Sequence, residues 1–146
     1  MPNCKEMLVF TEIRIKSLMI TKLLHIHMGF NTPLTPDQID RIICLCDLFL
    51  GLPSYIYDKD EERRKLYGLL GEYRIQPWGI EYRSLGGGMY HYKKVIQSGL
   101  NKIEKVIESN RVDEFFDEFY PQVKEIYNHQ LSKGQANILL NKINLF

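Results

Sequence analysis

The strongest hydrophobic pattern in the N-terminal half predicts an amphipathic helix that begins near residue 36. Thr35 is suited to cap this helix, Pro36 fits its first position, and Asp37 places a negative charge in its first turn. Apolar residues then recur with the spacing of one helix face, at Ile39, Ile42, Ile43, Cys46, Leu48, Phe49 and Leu50. The run Gly51-Leu52-Pro53 predicts the end of the helix, because glycine favours helix ends and proline lacks a backbone donor.

The residues before this helix alternate in places between apolar and polar side chains, as β-strands do. The alternation is visible over residues 10–16, and the stretch Leu23-Leu24-His25-Ile26-His27-Met28 ends at Gly29. This pattern predicts one or two strands. A further strand is predicted over residues 78–85, followed by Gly86-Gly87-Gly88, whose simplest role is a flexible exit from that strand.

Residues 54–80 mix basic, aromatic, glycine and proline residues and predict shaped loops rather than a simple core face. Beyond the glycines the chain becomes helical. One apolar face is formed by Val95, Ile96, Leu100, Ile103, Val106 and Ile107, and a second by Val112, Phe115, Phe116, Phe119, Val123, Ile126, Tyr127 and Leu131. We expect Asn110 to cap the second helix, Pro121 to kink or split it, and Gly134 to precede a short final helix near residues 136–143.

These elements predict an α+β fold, in which a small, mostly antiparallel sheet packs against helices. A chain of 146 residues with 45% hydrophobic and 25% charged residues has enough apolar surface for one core without disulfides. We interpret residues 1–146 as a single partial domain. It consists of a poorly patterned N-terminus (1–22), a region of sheet and loops that carries the motifs (23–88), and a helical region (89–146).

Charge and cysteine content narrow the possible functions. The formal net charge of +1 provides no overall attraction to nucleic acid or to an anionic membrane, so neither is expected as a partner. Two of the three cysteines, Cys44 and Cys46, lie in an apolar stretch and are expected to be reduced core thiols. No stretch has the roughly 18 apolar residues of a spanning helix, and no secretory signal opens the chain. We therefore expect a cytoplasmic protein.

Two pairs of polar residues have the spacing of a binding site. His25 and His27 stand two apart on a predicted strand, so their imidazoles leave the same face, and Glu81 and Arg83 do the same on another strand. Imidazole and carboxylate groups can hold a divalent cation, and a guanidinium can hold a carboxylate or phosphate. Both pairs can also be read structurally, as incidental histidines on a half-exposed strand and as an ion pair on a solvated face.

Arginines add a second candidate feature. Arg63, Arg64 and Arg74 lie in the glycine-containing loops and have the planar donors that suit phosphate. The charged run over residues 58–65 as a whole is more typical of a solvated helix face. The glycine triplet at residues 86–88 lacks the lysine and the serine or threonine of a phosphate-binding P-loop.

Five separated motifs occur together in an order that resembles the C-terminal part of phage-type carboxylate-amine ligases, which are amidoligases of the glutamine synthetase-like superfamily. The resemblance covers about residues 24–84. The motifs are His25-Ile26-His27-Met28-Gly29, Asp47-Leu48-Phe49-Leu50-Gly51-Leu52-Pro53-Ser54, Arg63-Arg64-Lys65-Leu66-Tyr67-Gly68, Gly71-Glu72-Tyr73-Arg74 and Pro77-Trp78-Gly79-Ile80-Glu81-Tyr82-Arg83.

The resemblance implies an ATP-dependent ligase that phosphorylates a carboxylate and lets an amine displace the phosphate, with Mg²⁺ as cofactor. By their positions within the motifs, His25 and Glu81 are assigned to the metal. Arg83, assigned with Glu81 to catalysis, is expected to bind the substrate carboxylate or its phosphorylated form. The substrates that the resemblance implies are a carboxylate and an amine, with peptide-like molecules as candidates, and the expected location is the cytoplasm of a phage-infected or prophage-bearing host.

The resemblance also assigns His27, Arg64 and Arg74 to the nucleotide and its phosphates. Three departures from the family pattern change the expectation. Leu23 and Leu24 stand where glycine is usual, glycines follow Ser84-Leu85 instead of a Ser-Asn-aromatic stretch, and residues 1–22 do not match the strands that carry further metal-binding carboxylates.

We therefore expect a truncated or split ligase with weak or no activity alone, completed by an N-terminal chain or a second copy. An exposed sheet edge would favour such association. The alternative is a non-catalytic interaction or remnant protein that retains the fold. Its helical aromatic residues Phe115, Phe116, Phe119 and Tyr120 would line a docking groove, although such a stripe is more often part of a core.

Overall fold

The computed structural model describes residues 10–18, 23–30, 32–58, 70–128 and 133–144, and it shows the predicted α+β fold. The strands are β1 (Phe10–Leu18), β2 (Leu23–Phe30), β3 (Tyr73–Gln76) and β4 (Gly79–Gly86). The α-helices are α1 (Pro36–Cys46), α2 (Leu52–Tyr57), α3 (Lys93–Glu108), α4 (Val112–Asn128) and α5 (Lys133–Asn144), with a π-helix (Asp47–Gly51) and a 3₁₀ helix (Gly87–Tyr92) between them.

The strands form one antiparallel sheet in the order β1-β2-β4-β3, so β2 and β4 lie side by side at its centre. His27 is paired with Glu81 in this register. Leu24, Ile26 and Met28 alternate with the two histidines along β2 and are fully buried. One face of the central strands therefore belongs to the core, and the opposite face carries the polar pairs that the sequence singled out.

The first helix begins as its sequence predicts. The Thr35 side chain accepts a hydrogen bond from the backbone N–H of Gln38, and the Gln38 side chain accepts one from the backbone N–H of Thr35. This reciprocal arrangement satisfies two donors that the first helical turn leaves open. The apolar face of α1 is buried, including Cys44 and Cys46, which are free thiols as expected. Burial raises the pKa of Cys46 well above its usual value.

The predicted helix end at Gly51-Leu52-Pro53 is wrong. The chain widens into the π-helix Asp47–Gly51 and continues as α2, with Pro53 in the first turn of that helix. The backbone N–H of Leu52 bonds to the carbonyl of Asp47, five residues earlier. Proline has no backbone N–H to donate. Pro53 is tolerated here because, after the wider turn, it falls in the first turn of a new helix.

Asn110 was expected to cap α4, but it ends α3 instead. Its φ of 60° lies in the left-handed region, its N–H bonds to Ile107 O, and the N–H of Arg111 reaches Val106 O. These two bonds form a Schellman motif, in which asparagine tolerates the conformation better than most residues do. Asn110 therefore ends α3 and does not cap the start of α4.

Pro121 was expected to kink or split the second helix. Helix α4 is not split, since it runs from Val112 to Asn128 with Pro121 inside it, and a kink at Pro121 stays a prediction. Gly134 does not precede the last helix but lies within its first turn. Residues 129–132, between α4 and α5, lie outside the described residues.

The strand predicted over residues 78–85 is confirmed as β4, Gly79–Gly86. The preceding β3 was missed, because its four residues lie in a segment expected to form loops. The glycines at positions 87 and 88 do not form a flexible exit, since they open the 3₁₀ helix that leads into α3. Gly88 faces Asp58, whose Oδ1 would lie 2.9 Å from an added Cβ, so this glycine allows a close approach.

Candidate functional site

The candidate site lies on the polar face of the two central strands, where β2 and β4 bring the two polar pairs together. His25, His27 and Glu81 each offer a ligand atom, and these atoms lie within 4.8 Å of one another. Arg83 follows Glu81 on the same face, with its Nε atom 3.9 Å from Glu81 Oε1. Antiparallel pairing thus joins the His-x-His and Glu-x-Arg patterns into one cluster.

Glu81 is engaged through both carboxylate oxygens. Its Oε1 lies 2.5 Å from His25 Nδ1, and its Oε2 accepts a hydrogen bond of 3.1 Å from Gln76 Nε2. Burial alone would raise the pKa of Glu81, but the Gln76 hydrogen bond and the nearby charges of His25, His27 and Arg74 lower it below its usual value. Glu81 is therefore a carboxylate that fixes the orientation of its neighbours.

His25 is buried and held on one side by this carboxylate. Burial lowers the pKa of His25; the attraction of Glu81 opposes that shift, and the positive charges of Arg83 and Arg74 add to it. The neutral imidazole is thus favoured, with its proton assigned to Nδ1 by the contact with Glu81. In this tautomer Nε2 has a free lone pair, which is the arrangement found in carboxylate–histidine–metal sites.

Within the described part of the chain, three nitrogen atoms of the cluster are buried without a hydrogen-bond partner. They are His25 Nε2, His27 Nε2 and Arg83 Nε. A buried polar atom without a partner is uncommon, and each one costs about 1–3 kcal/mol of stability. Three such atoms on one patch of the sheet indicate a place for a ligand that would satisfy them.

Of the remaining predicted arginines, one lies near the site and two lie outside the described part of the chain. Arg74 lies on β3 directly opposite Glu81, and it is exposed. It is close enough to influence the pKa values of both His25 and Glu81. Arg63 and Arg64 lie outside the described residues, so the expected phosphate contact of Arg64 stays a prediction.

Trp78 is a site residue that the sequence analysis did not assign. Its ring stacks on His27 with a centroid distance of 5.1 Å and an angle of 6° between the planes, while 42% of its surface stays exposed. This contact fixes the plane of the His27 imidazole and places a flat apolar surface beside the cluster. The one available signal was the turn-forming Pro77-Trp78-Gly79, which places the ring just before the start of β4.

Asp47 is a second residue that the sequence analysis left without a role, and it supports the site from the core side. It is fully buried, and its Oδ1 accepts hydrogen bonds from the Tyr82 hydroxyl at 2.6 Å and from the backbone N–H of Gly71 at 2.8 Å. Tyr82 stands between Glu81 and Arg83 on β4. Asp47 therefore ties the π-helix to the strand that carries the site and to the turn before β3.

Gly51 provides the space for this contact. A Cβ at position 51 would lie 2.6 Å from the Tyr82 hydroxyl and 2.3 Å from a Leu70 methyl group, both too close. The sequence signal for Asp47 was a carboxylate within an otherwise apolar stretch of helix, since a buried charge needs partners. Those partners come from β4 and the 70–71 turn, which the local pattern could not identify.

The aromatic residues of α4, the basis of the alternative reading, do not form a continuous exposed stripe. Phe115 and Phe119 are buried in the core. Phe116 and Tyr120 are half-buried and stack on each other at 4.3 Å, and the Arg41 guanidinium lies over the Phe116 ring. These contacts account for the aromatic pattern by packing.

The fold and the cluster together define a class of binding site. An antiparallel sheet carries imidazole, carboxylate and guanidinium groups on one face, and these groups suit an anionic or metal-bearing ligand. The family model described as phage phiEco32-like COOH.NH2 ligase-type 2 matches residues 24–138. The chain belongs to this family, which is of a carboxylate–amine ligase type. The match covers strand β2 from its second residue, strands β3 and β4, and the helices through the first half of α5.

Comparison with curated proteins and with solved structures gave no match. In the described part of the chain, every helix is too short or too polar to cross a membrane.

Proposed function

We propose that this chain takes part in ATP-dependent amide-bond formation through an acyl phosphate, as a member of the glutamine synthetase-like superfamily. The observation that supports the proposal most directly is the set of unpartnered nitrogen atoms of His25, His27 and Arg83 beside Glu81. Family membership supplies the reaction type, and the site supplies groups suited to phosphate and to a cation.

The proposed reaction has two group transfers. A substrate carboxylate oxygen bonds to the terminal phosphorus of ATP while the bond to ADP breaks, which gives an acyl phosphate. The amine nitrogen then bonds to the acyl carbon, phosphate leaves, and the nitrogen loses a proton to give the amide. Both steps concentrate negative charge on phosphate oxygens, and fixed positive groups stabilise such charge.

The residues of the site have distinct parts in this proposal. Arg83 provides a partly buried guanidinium whose Nε lacks a hydrogen-bond partner among the described residues, so it can bind the substrate carboxylate or the acyl phosphate. Arg74, opposite Glu81 on β3, adds an exposed positive charge for phosphate. The stacked His27 and Trp78 give a rigid flat surface for the nucleotide.

His25, His27 and Glu81 fit a divalent cation, which would neutralise phosphate charge when bound. Two of these three residues offer a nitrogen ligand, whereas Mg²⁺ prefers oxygen ligands and retains water. Mn²⁺ accepts both imidazole and carboxylate ligands. We therefore place Mn²⁺ ahead of Mg²⁺ as the cation of this site.

The described cluster contains a single carboxylate, which is few for a nucleotide-bound cation. We propose that further acidic ligands come from a second polypeptide or a second copy of this chain, and that turnover needs this complement. The proposed substrates are a carboxylate and an amine, and the proposed location is the cytoplasm of a phage host.

Calorimetric titration of the purified chain tests the binding part of the proposal. We expect saturable binding of Mn²⁺, strengthened by a non-hydrolysable ATP analogue and reduced at least tenfold in His25→Ala. His91→Ala is the matched control, because His91 is exposed on the 3₁₀ helix and should leave binding unchanged. Absence of binding, or equal loss in both variants, would contradict the site.

A turnover assay tests the need for a complement. We expect no robust ATP hydrolysis by the chain alone. Metal-dependent ATP hydrolysis by the isolated chain that Glu81→Ala abolishes would show that the described cluster suffices.

A further inference from the structure

A second cavity lies among helices α2, α3 and α5, and none of the residues assigned to the ligase site lines it. Its volume is about 340 Å³, within the range of small-molecule sites. Its lining is mainly apolar, with Phe49, Pro53, Ile56, Val95, Leu140 and Ile143 as the apolar members. Ile56, Val95 and Leu140 are only partly buried, so the cavity is reached from the surface.

The wall on the α3 side depends on a close approach of two helices. A Cβ at Gly99 would lie 2.2 Å from the carbonyl oxygen of Phe49, so glycine lets α3 contact the π-helix backbone. Val95 stands one turn before Gly99 on the same side of α3. This backbone contact thus fixes the distance between α3 and the π-helix at the wall of the cavity.

The rim on α3 is basic. Lys94, Ser98 and Lys102 line the cavity and follow one another at intervals of four residues. Four residues span about 6 Å along a helix, so both lysine side chains can reach a group bound at the Ser98 hydroxyl. Both lysines are exposed, and in the described part of the chain neither ammonium group has an ion-pair partner.

The charge around this rim has one sign. The cavity and the adjoining groove on α3, which Lys105 also lines, contain no acidic residue among the described residues. An apolar cavity beside two unpaired ammonium groups is complementary to a ligand with an apolar body and a single anionic head. A neutral or cationic ligand of the same shape would gain nothing from this rim.

We propose that this cavity binds a small amphiphilic carboxylate, with its hydrocarbon part between α2, α3 and α5 and its carboxylate at Ser98 between Lys94 and Lys102. The ligand is a free acid, such as a medium-chain acyl carboxylate. The complex is independent of the proposed ligase reaction and requires neither ATP nor a cation.

Calorimetric titration with dodecanoate below its micelle-forming concentration tests the proposal. We expect one binding site per chain, and binding at least tenfold weaker for dodecanol and for dodecylamine. The double variant Lys94→Gln/Lys102→Gln should lose about tenfold in affinity. The control Lys105→Gln removes the same charge from α3 outside this cavity and should leave affinity unchanged.

A second variant tests the apolar part. Val95→Trp fills the cavity and should abolish binding. If Val95→Trp does not fold, the surface lysine variants still test the proposal. The His25→Ala variant should bind dodecanoate like the wild type, which separates this cavity from the ligase site. Dodecanoate that does not bind, that binds no better than dodecylamine, or that binds equally to the Lys94→Gln/Lys102→Gln variant would overturn the proposal.

Discussion

At the scale of single residues, Glu81 acts through hydrogen bonds as much as through charge. One oxygen holds His25 Nδ1 and the other holds the amide of Gln76. A carboxylate placed in this way orients an imidazole ligand even if it touches the cation only weakly. Its removal should therefore disturb His25 before it disturbs the fold.

The variant Glu81→Gln tests this role. It retains the size of the side chain but loses the charge that favours the Nδ1–H tautomer of His25. We expect Mn²⁺ affinity to fall about 10–100-fold, as for other residues that orient metal ligands. Calorimetry gives the affinity, and Glu72→Gln serves as control because Glu72 is exposed near the start of β3. Equal affinities in Glu81→Gln and wild type would contradict the role.

Asp47 and Tyr82 should be energetically coupled. Asp47→Ala leaves the Tyr82 hydroxyl and the Gly71 N–H without this acceptor, and we expect a loss of about 3 kcal/mol in the free energy of unfolding. Tyr82→Phe removes one donor from the buried carboxylate and should also destabilise. Urea unfolding of the single and double variants measures the coupling.

The double variant is informative because the lost hydrogen bond is shared. Its destabilisation should be at least 1 kcal/mol smaller than the sum of the two single effects. Additive effects would show that the 2.6 Å contact contributes little to stability.

The sequence could predict those site residues whose arrangement depends on neighbours close in the chain. His25, His27, Glu81 and Arg83 were grouped correctly on common faces because strand alternation is local. Pairing of the two strands, which brings the groups together, required the whole sheet. The contributions of Asp47, Gln76 and Trp78 arise only from that tertiary pairing.

At the scale of elements, glycines show how context decides the role of one residue type. Gly79 has a φ of 156°, and a Cβ there would lie 1.9 Å from the Met28 carbonyl oxygen. Gly134 lies exposed in α5, where glycine is a poor helix former. The same change to alanine should therefore have opposite effects at the two positions.

Gly79→Ala should lower the free energy of unfolding by about 3 kcal/mol or more, because a backbone carbonyl on β2 cannot move away cheaply. Gly134→Ala should raise it by about 0.5–1 kcal/mol. Thermal and urea unfolding measure both. Destabilisation by Gly134→Ala would mean that this glycine has a structural role that its helical position does not show.

Helix positions were predicted better than helix boundaries, for a physical reason. Apolar periodicity identified α1, α3 and α4, because each buries one face. Boundaries depend on where backbone donors find acceptors, and both the π-helix and the Schellman motif at Asn110 satisfy these groups in ways that residue preference did not reveal.

At the scale of the whole molecule, the edge strands of the sheet bear on association with another chain. Among the described strands, β1 and β3 each have one neighbour, and β3 carries Ile75 with 60% of its surface exposed. An exposed edge with an apolar residue favours pairing with another chain. Association with a second copy or a complement, which the sequence analysis expected, stays a prediction.

Sedimentation over a range of concentrations tests this association. We expect the wild type to self-associate and Ile75→Lys to weaken the association about tenfold, since a charged side chain on an edge strand opposes pairing. Ile138→Lys is the matched control, because Ile138 on α5 has a nearly equal exposed fraction of 61%. A wild type that stays monomeric throughout, or equal effects of both variants, would contradict association through β3.

Strand β4 links two processes that are usually measured separately. Glu81 and Arg83 lie on the face proposed to bind a ligand, while Ile80 and Tyr82 on the opposite face hold the strand to the core and to Asp47. By thermodynamic linkage, a cation that binds only the folded site must raise the unfolding midpoint. Conversely, partial unfolding of β4 would release the cation, so occupancy of the site and integrity of the core rise and fall together.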